Sequence, residues 1–379
     1  MDFDFTEEQL LLRESARKFL EKEIKPAAVA YGDARIPREM FPELFRKLRP
    51  FSYMGETDDL ITAALLSEEL ARVFPALEGI MMINSACARY IQAGPHDLRE
   101  RALPALLAGE KIGCVAITEP NVGSNPAAIE TRAVADGDDY VINGRKTWIS
   151  NGELSDYAIV ICQTDPAKGK EGICPIIVER ERSAYEARDL PKLGLKAFAT
   201  SELVFTDCRV PRENRLGGRR GAAGAGLKAL LQGFQWARCR VALMALGIAQ
   251  AAFEAAVDYA RQRRQFGKPI GAFQLIQDMV TGMATEIDAA RLLTYRAVHL
   301  VKKGLRCDRE TSMAKAYATE MAVRTTSRAV QIHGAYGLSP EYLVERYFRD
   351  ARTLTIPDGT TEIQKLIIGR SVLGLSAFR

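Results

Sequence analysis

The period at which apolar residues recur changes twice along this chain of 379 residues, and that double switch restricts the fold more than any single motif. From Thr6 to about Gly109 the spacing is helical. Thr6-Glu7-Glu8-Gln9 has the form of a capping box, and Leu10, Leu11, Ala16, Phe19 and Leu20 supply an apolar face. Further helices are predicted over 37–48, 60–73 and 98–107. From Ile112 to about Val210 the period shortens towards two, with candidate strands at 114–118, 131–134, 140–142, 146–149, 157–162, 173–178 and 203–205. Asp136-Gly137 and Asn143-Gly144 supply turn chemistry between them. The glycine-rich stretch 217–226 reads as a linker. Long helical patterns follow over 226–264, 272–303, 310–333 and 360–373. A chain this long exceeds what one hydrophobic core organises. The reading is therefore an α+β multidomain protein: an N-terminal α-helical domain (1–111), a middle antiparallel β domain (112–216) and a C-terminal four-helix bundle (217–379).

Fifty-two basic against forty-eight acidic side chains are spread without blocks, so no electrostatic case arises for nucleic acid or an anionic membrane surface. A modest positive bias suits an anionic ligand such as a phosphorylated cofactor. The seven scattered cysteines form no CxxC pair and read as free thiols. The acidic start does not resemble a signal peptide, and no apolar run reaches the roughly twenty residues of a membrane span. A cytoplasmic protein is expected.

Three loops and one turn carry candidate chemistry. In Ile117-Thr118-Glu119-Pro120-Asn121-Val122-Gly123-Ser124-Asn125 a strand opens into a loop able to aim N–H groups and hydroxyls at a ligand. In Lys146-Thr147-Trp148-Ile149-Ser150 an aromatic plane lies two residues from a hydroxyl, on one strand face, which suits a planar heterocycle. Between two long helices, Arg261-Gln262-Arg263-Arg264-Gln265-Phe266-Gly267-Lys268 clusters arginines that can clamp a diphosphate beside a ring that can pack on adenine. Each has an ordinary alternative: a strand-ending turn, core packing of Trp148, a solvated helix terminus. Finally, Ile356-Pro357-Asp358-Gly359-Thr360-Thr361-Glu362-Ile363-Gln364 places one carboxylate in a turn that opens a helix.

Taken in this order, from the Phe5-Thr6-Glu7-Glu8-Gln9 opening to Leu366-Ile367-Ile368-Gly369-Arg370, the motifs resemble the acyl-CoA dehydrogenases, flavoproteins of fatty acid metabolism. These oxidise acyl thioesters to 2,3-enoyl thioesters. The resemblance implies FAD as cofactor, and it assigns roles position by position. Ile117 and Thr118 face the isoalloxazine, Trp148 covers one flavin face, and Ser150 sits near N5. Ser124 lies where flavin phosphate and thioester contacts meet. Arg263, Phe266 and Gln274, with Gln331 and Gly334 of the Gln331-Ile332-His333-Gly334 run, reach the FAD of a neighbouring subunit. Thr360 and Glu362 touch the flavin adenosine portion. Arg238 lies near the CoA chain, and Asp358 takes the α-proton. The backbone at Asp358-Gly359, with a flavin ribityl hydroxyl, polarises the thioester carbonyl. A homodimer or homotetramer with shared flavin sites is implied, as is electron-transferring flavoprotein as acceptor.

The sequence departs from that pattern at several positions. The family ordinarily has glutamate where this chain has Asp358, and the minority alternative, a glutamate just before the arginine matched by Arg238, is here Ala237. Losing a methylene withdraws the carboxylate by roughly an ångström. Nitroalkane oxidases, which resemble the family, use aspartate at this turn, giving a second reading as a flavin oxidase without CoA. They support it with an arginine seven residues on, where Lys365 stands here. Gln235 replaces an aspartate that helps to hold CoA, and the 48–56 loop is short, so an acyl-carrier-protein thioester is an alternative to acyl-CoA. Bulky side chains over 81–90 suggest a short, branched or alicyclic acyl group. Arg89 offers itself to a substrate carboxylate, against the plainer reading of a solvated arginine. A catalytically weak flavin-binding member of the family is the remaining alternative.

Overall fold

The computed structural model describes residues 4–51, 53, 59–216 and 227–378. The 217–226 linker, and residues 52 and 54–58 of the short loop, lie outside them. Six helices come first: α1 (Glu7–Glu23), α2 (Lys25–Tyr31), α3 (Phe41–Leu48), α4 (Leu60–Val73), α5 (Pro75–Gln92) and α6 (His96–Ala108). The capping box forms as read: Thr6 Oγ1 accepts from Gln9 N at 3.2 Å, and Gln9 Oε1 accepts from Thr6 N at 3.1 Å. Of the expected apolar face, Ala16 and Leu20 are buried, whereas Leu10 and Leu11 are exposed. Helix α5 was not read from the sequence; it is buried over most of its length, and its buried residues include the polar Glu78, Asn84 and Ser85.

Seven strands form one sheet: β1 (Gly113–Ala116), β2 (Arg132–Asp136), β3 (Asp139–Ser150), β4 (Tyr157–Gln163), β5 (Ile173–Glu179), β6 (Glu186–Asp189) and β7 (Thr200–Pro211). The order is β1-β4-β2-β3-β7-β6, with β5 beside β4. It is mixed rather than wholly antiparallel, because β1 pairs with β4 in parallel, and β2 touches β4 in the same sense. Asp136-Gly137 makes the β2–β3 hairpin, but Asn143-Gly144 does not turn the chain. It is a register shift inside the continuous strand β3. The Asn143 amide and Asp207 bond to each other there at 3.1 and 2.9 Å, which satisfies the bulge from the facing strand. One sheet face packs Tyr157, Ile159 and Ile161 against Cys87, Ile91 and Leu106 of α5 and α6.

Helix α7 (Leu227–Gln262) is followed by a small hairpin of β8 (Arg264–Gln265) and β9 (Lys268–Pro269). Then come α8 (Gln274–Lys302), α9 (Asp308–His333), α10 (Val344–Thr353) and α11 (Thr361–Leu373). The bundle thus carries one more helix among the described residues than the sequence announced. Helix α10 is only ten residues long and rich in Arg and Glu; its apolar residues Val344, Tyr347, Phe348 and Ala351 do recur at helical spacing, and the sequence reading passed over them. Residues 233–262 of α7 are long and apolar enough to cross a membrane, yet most of that stretch is buried inside the protein. Helix α4 packs along α7, and the N-terminal and C-terminal helices share one core containing Leu66, Leu70, Met244 and Ile248. All seven cysteines are buried free thiols.

Candidate active site

Strand β1 runs into Ile117 and Thr118, and this edge is tied to β3. Thr147 N donates to Thr118 O at 2.9 Å. Lys146 Nζ donates to Ile117 O (3.0 Å), Ile161 O (2.7 Å) and Glu119 Oε1 (2.7 Å). The Glu119 carboxylate also accepts from Glu130 N at 2.6 Å and Thr131 N at 2.9 Å. Burial opposes charge on both groups, yet Lys146 and these hydrogen bonds hold the Glu119 carboxyl below its usual range. The pair is an ammonium and a carboxylate, fully satisfied, at the root of the loop. Both residues stood in the motifs read from sequence without a role.

Above this root, β3 carries a second register shift between Lys146 and Ile149, and Trp148 sits in it with φ 59°. The shift breaks simple alternation and turns the indole outward: Trp148 is 58% exposed, so it is not a core residue. Ser150 is half-buried just beyond it. Ser124 is exposed, past the tight turn closed by reciprocal Glu119 and Val122 backbone bonds.

The turn bearing Asp358 links α10 to α11. Asp358 has φ 55°, a left-handed conformation that aspartate tolerates better than most side chains, and Gly359 follows with φ 91°. That φ reserves the position for glycine, and a Cβ there would also meet Gln364 Nε2 at 2.7 Å. Thr360 caps α11 by accepting from Ile363 N, while Glu362 is exposed in its first turn. Among the described residues no donor bonds the Asp358 carboxylate, and its own N–H bonds no acceptor. Both are left for a ligand.

Asp358 is half-buried, and its carboxyl is ringed by protein. This desolvation raises its pKa, against the pull of Lys315 and Arg238. Arg238 on α7 is 6% exposed, with Nε unpartnered and its nearest carboxylate, Asp308, at 4.0 Å. Lys315 on α9 was missed by sequence reading. Its signal was a lysine on the alanine stripe Ala314, Ala318, Ala322 that faces the core.

A third group gathers at one end of the bundle. Phe266 (φ 50°) and Gly267 (φ 79°) form the two-residue tip of the β8–β9 hairpin, and Phe266 is 92% exposed. Arg263 lies over Tyr336 at 5.8 Å, which joins the hairpin to the end of α9, where Gln331 in its last turn and Gly334 just beyond it are exposed. Gln274, the first residue of α8, is exposed beside them. Leu275, Tyr336 and Leu338 add bare apolar surface. No hydrogen bond among the described residues joins this group to Trp148 or Asp358.

In the 81–90 stretch read as an acyl pocket, Met81 is buried in α5 and Met82 and Ile83 are half-buried. Arg89 is exposed and has no ion pair among the described residues; surrounding protein and Arg240 lower its pKa. Gln235 is engaged internally, accepting from Cys307 N and Sγ.

The residues fit FAD. Trp148 and Phe266 are exposed rings, Arg263 makes no ion pair among the described residues and stands three residues before Phe266, and Ser150 follows Trp148 by two residues.

Three family models match in order: the acyl-CoA dehydrogenase N-terminal domain over residues 6–110, the middle domain over 114–208 and the C-terminal domain over 224–373. A short-chain-specific acyl-CoA dehydrogenase of Clostridium acetobutylicum is 37% identical over 98% of this chain and all of its own length. The caffeyl-CoA reductase-Etf complex subunit CarC of Acetobacterium woodii is 35% identical over 97% of this chain and 99% of its own. A glutaryl-CoA dehydrogenase of Mycobacterium smegmatis, solved with FADH2, superposes with a TM-score of 0.89 at 29% identity, covering 99% and 97% of the two chains. The chain therefore belongs to the acyl-CoA dehydrogenase family, FAD-dependent oxidoreductases acting on acyl-CoA.

Proposed function

We propose that the protein oxidises a short, branched or alicyclic acyl-CoA to the 2,3-enoyl thioester, with Asp358 as the base that removes the α-proton. One observation carries the reading: a carboxylate raised in pKa by desolvation, which no donor bonds among the described residues, beside a backbone N–H on the same turn that bonds no acceptor among them. A base that accepts a carbon-bound proton gains from a raised pKa. The Asp358 N–H is a donor for the thioester oxygen, where negative charge develops as the proton leaves. Proline here would have removed that donor. Arg238 and Lys315 surround the base with positive charge, which favours its ionised form before reaction and the enolate after it.

FAD, when bound, supplies the hydride acceptor. Ile117, Thr118, Trp148 and Ser150 would hold its ring, with Ser124, Thr360 and Glu362 beside its phosphates and adenosine. Arg263, Phe266, Gln274, Gln331 and Gly334 share no hydrogen bond with that face among the described residues, and they would serve a second subunit's flavin in a homodimer or tetramer. The electrons leave to an electron-transferring flavoprotein, a reading supported by the Etf complex to which the Acetobacterium woodii relative belongs.

An anaerobic panel of straight, branched and alicyclic acyl-CoAs tests this reading. At least one should bleach the flavin band within seconds; a panel that leaves the band intact while FAD stays bound would make the protein a flavin binder. Rapid peroxide formation with a nitroalkane would favour the oxidase alternative, and a phosphopantetheine-linked thioester that outperforms every CoA ester would favour a carrier protein. Arg263→Ala tests the shared flavin. Loss of a charge-assisted phosphate contact of about 1.5–3 kcal/mol should weaken FAD retention by roughly 10- to 100-fold on dilution. Equilibrium dialysis reads this directly, and unchanged retention would remove Arg263 from the cofactor site.

A further inference from the structure

Lys315 is buried completely in the middle of α9, where an unpaired ammonium would be excluded from the core. Its Nζ donates to Thr355 O at 2.9 Å and to Gly359 O at 2.9 Å. These carbonyls lie before and after Asp358, so one ammonium grips both ends of the turn. Gln364 on α11 completes the clip, donating to Asp358 O at 3.0 Å and Gly359 O at 2.8 Å. Thr361 N closes the loop onto Thr355 O at 3.1 Å. The left-handed backbone of Asp358 is a conformation the chain avoids unless its surroundings impose it. Lys315 and Gln364 are those surroundings.

We infer that Lys315 is a positioning residue: its buried ammonium grips the two carbonyls that bracket Asp358 and so fixes the carboxylate that the turn carries. The inference rests on Asp358 being the base. It explains how a side chain one methylene shorter than glutamate is held in a single place, since the clip acts on the backbone that carries it. The electrostatics agree in direction. Burial pulls Lys315 down to about 8, and Asp358 is the group that most opposes this fall. Lys315 in turn is the strongest influence lowering the Asp358 carboxyl against burial. The other charges acting on Lys315 are Arg238 from α7, Glu320 from α9 itself and Glu362 from α11. Of these, Arg238 also acts on Asp358 and remains in every variant below.

The FAD-loaded protein provides a test that does not depend on knowing the substrate. The Asp358 carboxyl stretch, isolated by infrared difference against Asp358→Asn, is titrated in wild type, Lys315→Gln and Lys315→Met. Removing the charge should raise the midpoint by about one unit, the low end of what a neighbouring opposite charge does. Lys315→Arg should return it towards the wild-type value. An unmoved midpoint in both charge-free variants overturns the inference, because a purely structural lysine would leave it in place. Anaerobic flavin reduction by butyryl-CoA at pH 7 should also slow by roughly 10- to 100-fold in Lys315→Gln, as expected for a displaced base. Asp358→Asn separates the two readings. If it reduces at the wild-type rate, the assignment of the base fails whatever the midpoints do. If it is inactive and the midpoints coincide, only the role of Lys315 fails.

Discussion

Asp358→Ala is expected to retain FAD and to lose substrate-driven bleaching by about 10²- to 10⁴-fold, the contribution of a positioned general base. The side chain touches no hydrogen-bond donor among the described residues, so its removal breaks no internal bond, and the turn stays clipped by Lys315 and Gln364. The backbone N–H survives, so substrate binding and carbonyl polarisation should change little. The loss should therefore fall on the reduction rate and not on the concentration dependence. Stopped-flow reduction under anaerobic conditions reads both quantities. Bleaching at an undiminished rate would show that the proton leaves by another route, although Ala237 supplies no carboxylate at the alternative family position. Asp358→Glu is the informative companion. It moves the carboxylate outward by roughly an ångström, a displacement that can cost about a hundredfold when the pocket is built for the shorter reach. Relative rates should shift from branched or alicyclic thioesters towards straight ones.

The three-part architecture was legible because periodicity reports which faces are buried, and the helical and β blocks bury theirs differently. What escaped were elements that are short or whose buried face carries polar residues. Helix α5 buries Glu78, Asn84 and Ser85 among its apolar residues, α10 has ten residues and buries Arg346 and Asp350, and β6 is a four-residue edge strand. Asn143-Gly144 carried honest turn chemistry, but its facing partner Asp207 satisfies the same groups inside a strand, and no local rule sees across the sheet. The site shows the same division. Asp358, Trp148 and Phe266 stood out as residues of unusual type in unusual settings, and all three have positive φ. Their supports did not stand out. Lys315 looks like one of many lysines until α9 is wrapped against the turn, and the pairing of Glu119 with Lys146 spans strands that only the fold brings together. A sequence displays the groups that meet a ligand more readily than the groups that hold them.

That hidden support yields the largest expected loss of stability. Glu119→Gln should destabilise the protein by about 3–5 kcal/mol, because it leaves the Lys146 ammonium buried with carbonyls but no counter-charge. Lys146→Met leaves the opposite charge and should cost a similar amount. The double variant Glu119→Gln/Lys146→Met should recover much of the loss, since replacing a buried pair is cheaper than breaking one. Urea midpoints followed by circular dichroism give the cycle, and additive single losses would mean that the two groups do not act as a pair. The sign of the pH dependence follows from Glu119, whose folded pKa lies below its ordinary value of 4.5. Its stabilisation is complete above that ordinary value and disappears as pH falls through the lowered folded one. Wild type and Glu119→Gln should therefore converge in acid and differ fully at neutral pH. Function should follow stability here: the same ammonium holds Ile117 O, so Glu119→Gln should also loosen the Ile117–Thr118 edge and release FAD at urea concentrations below those that unfold the bundle.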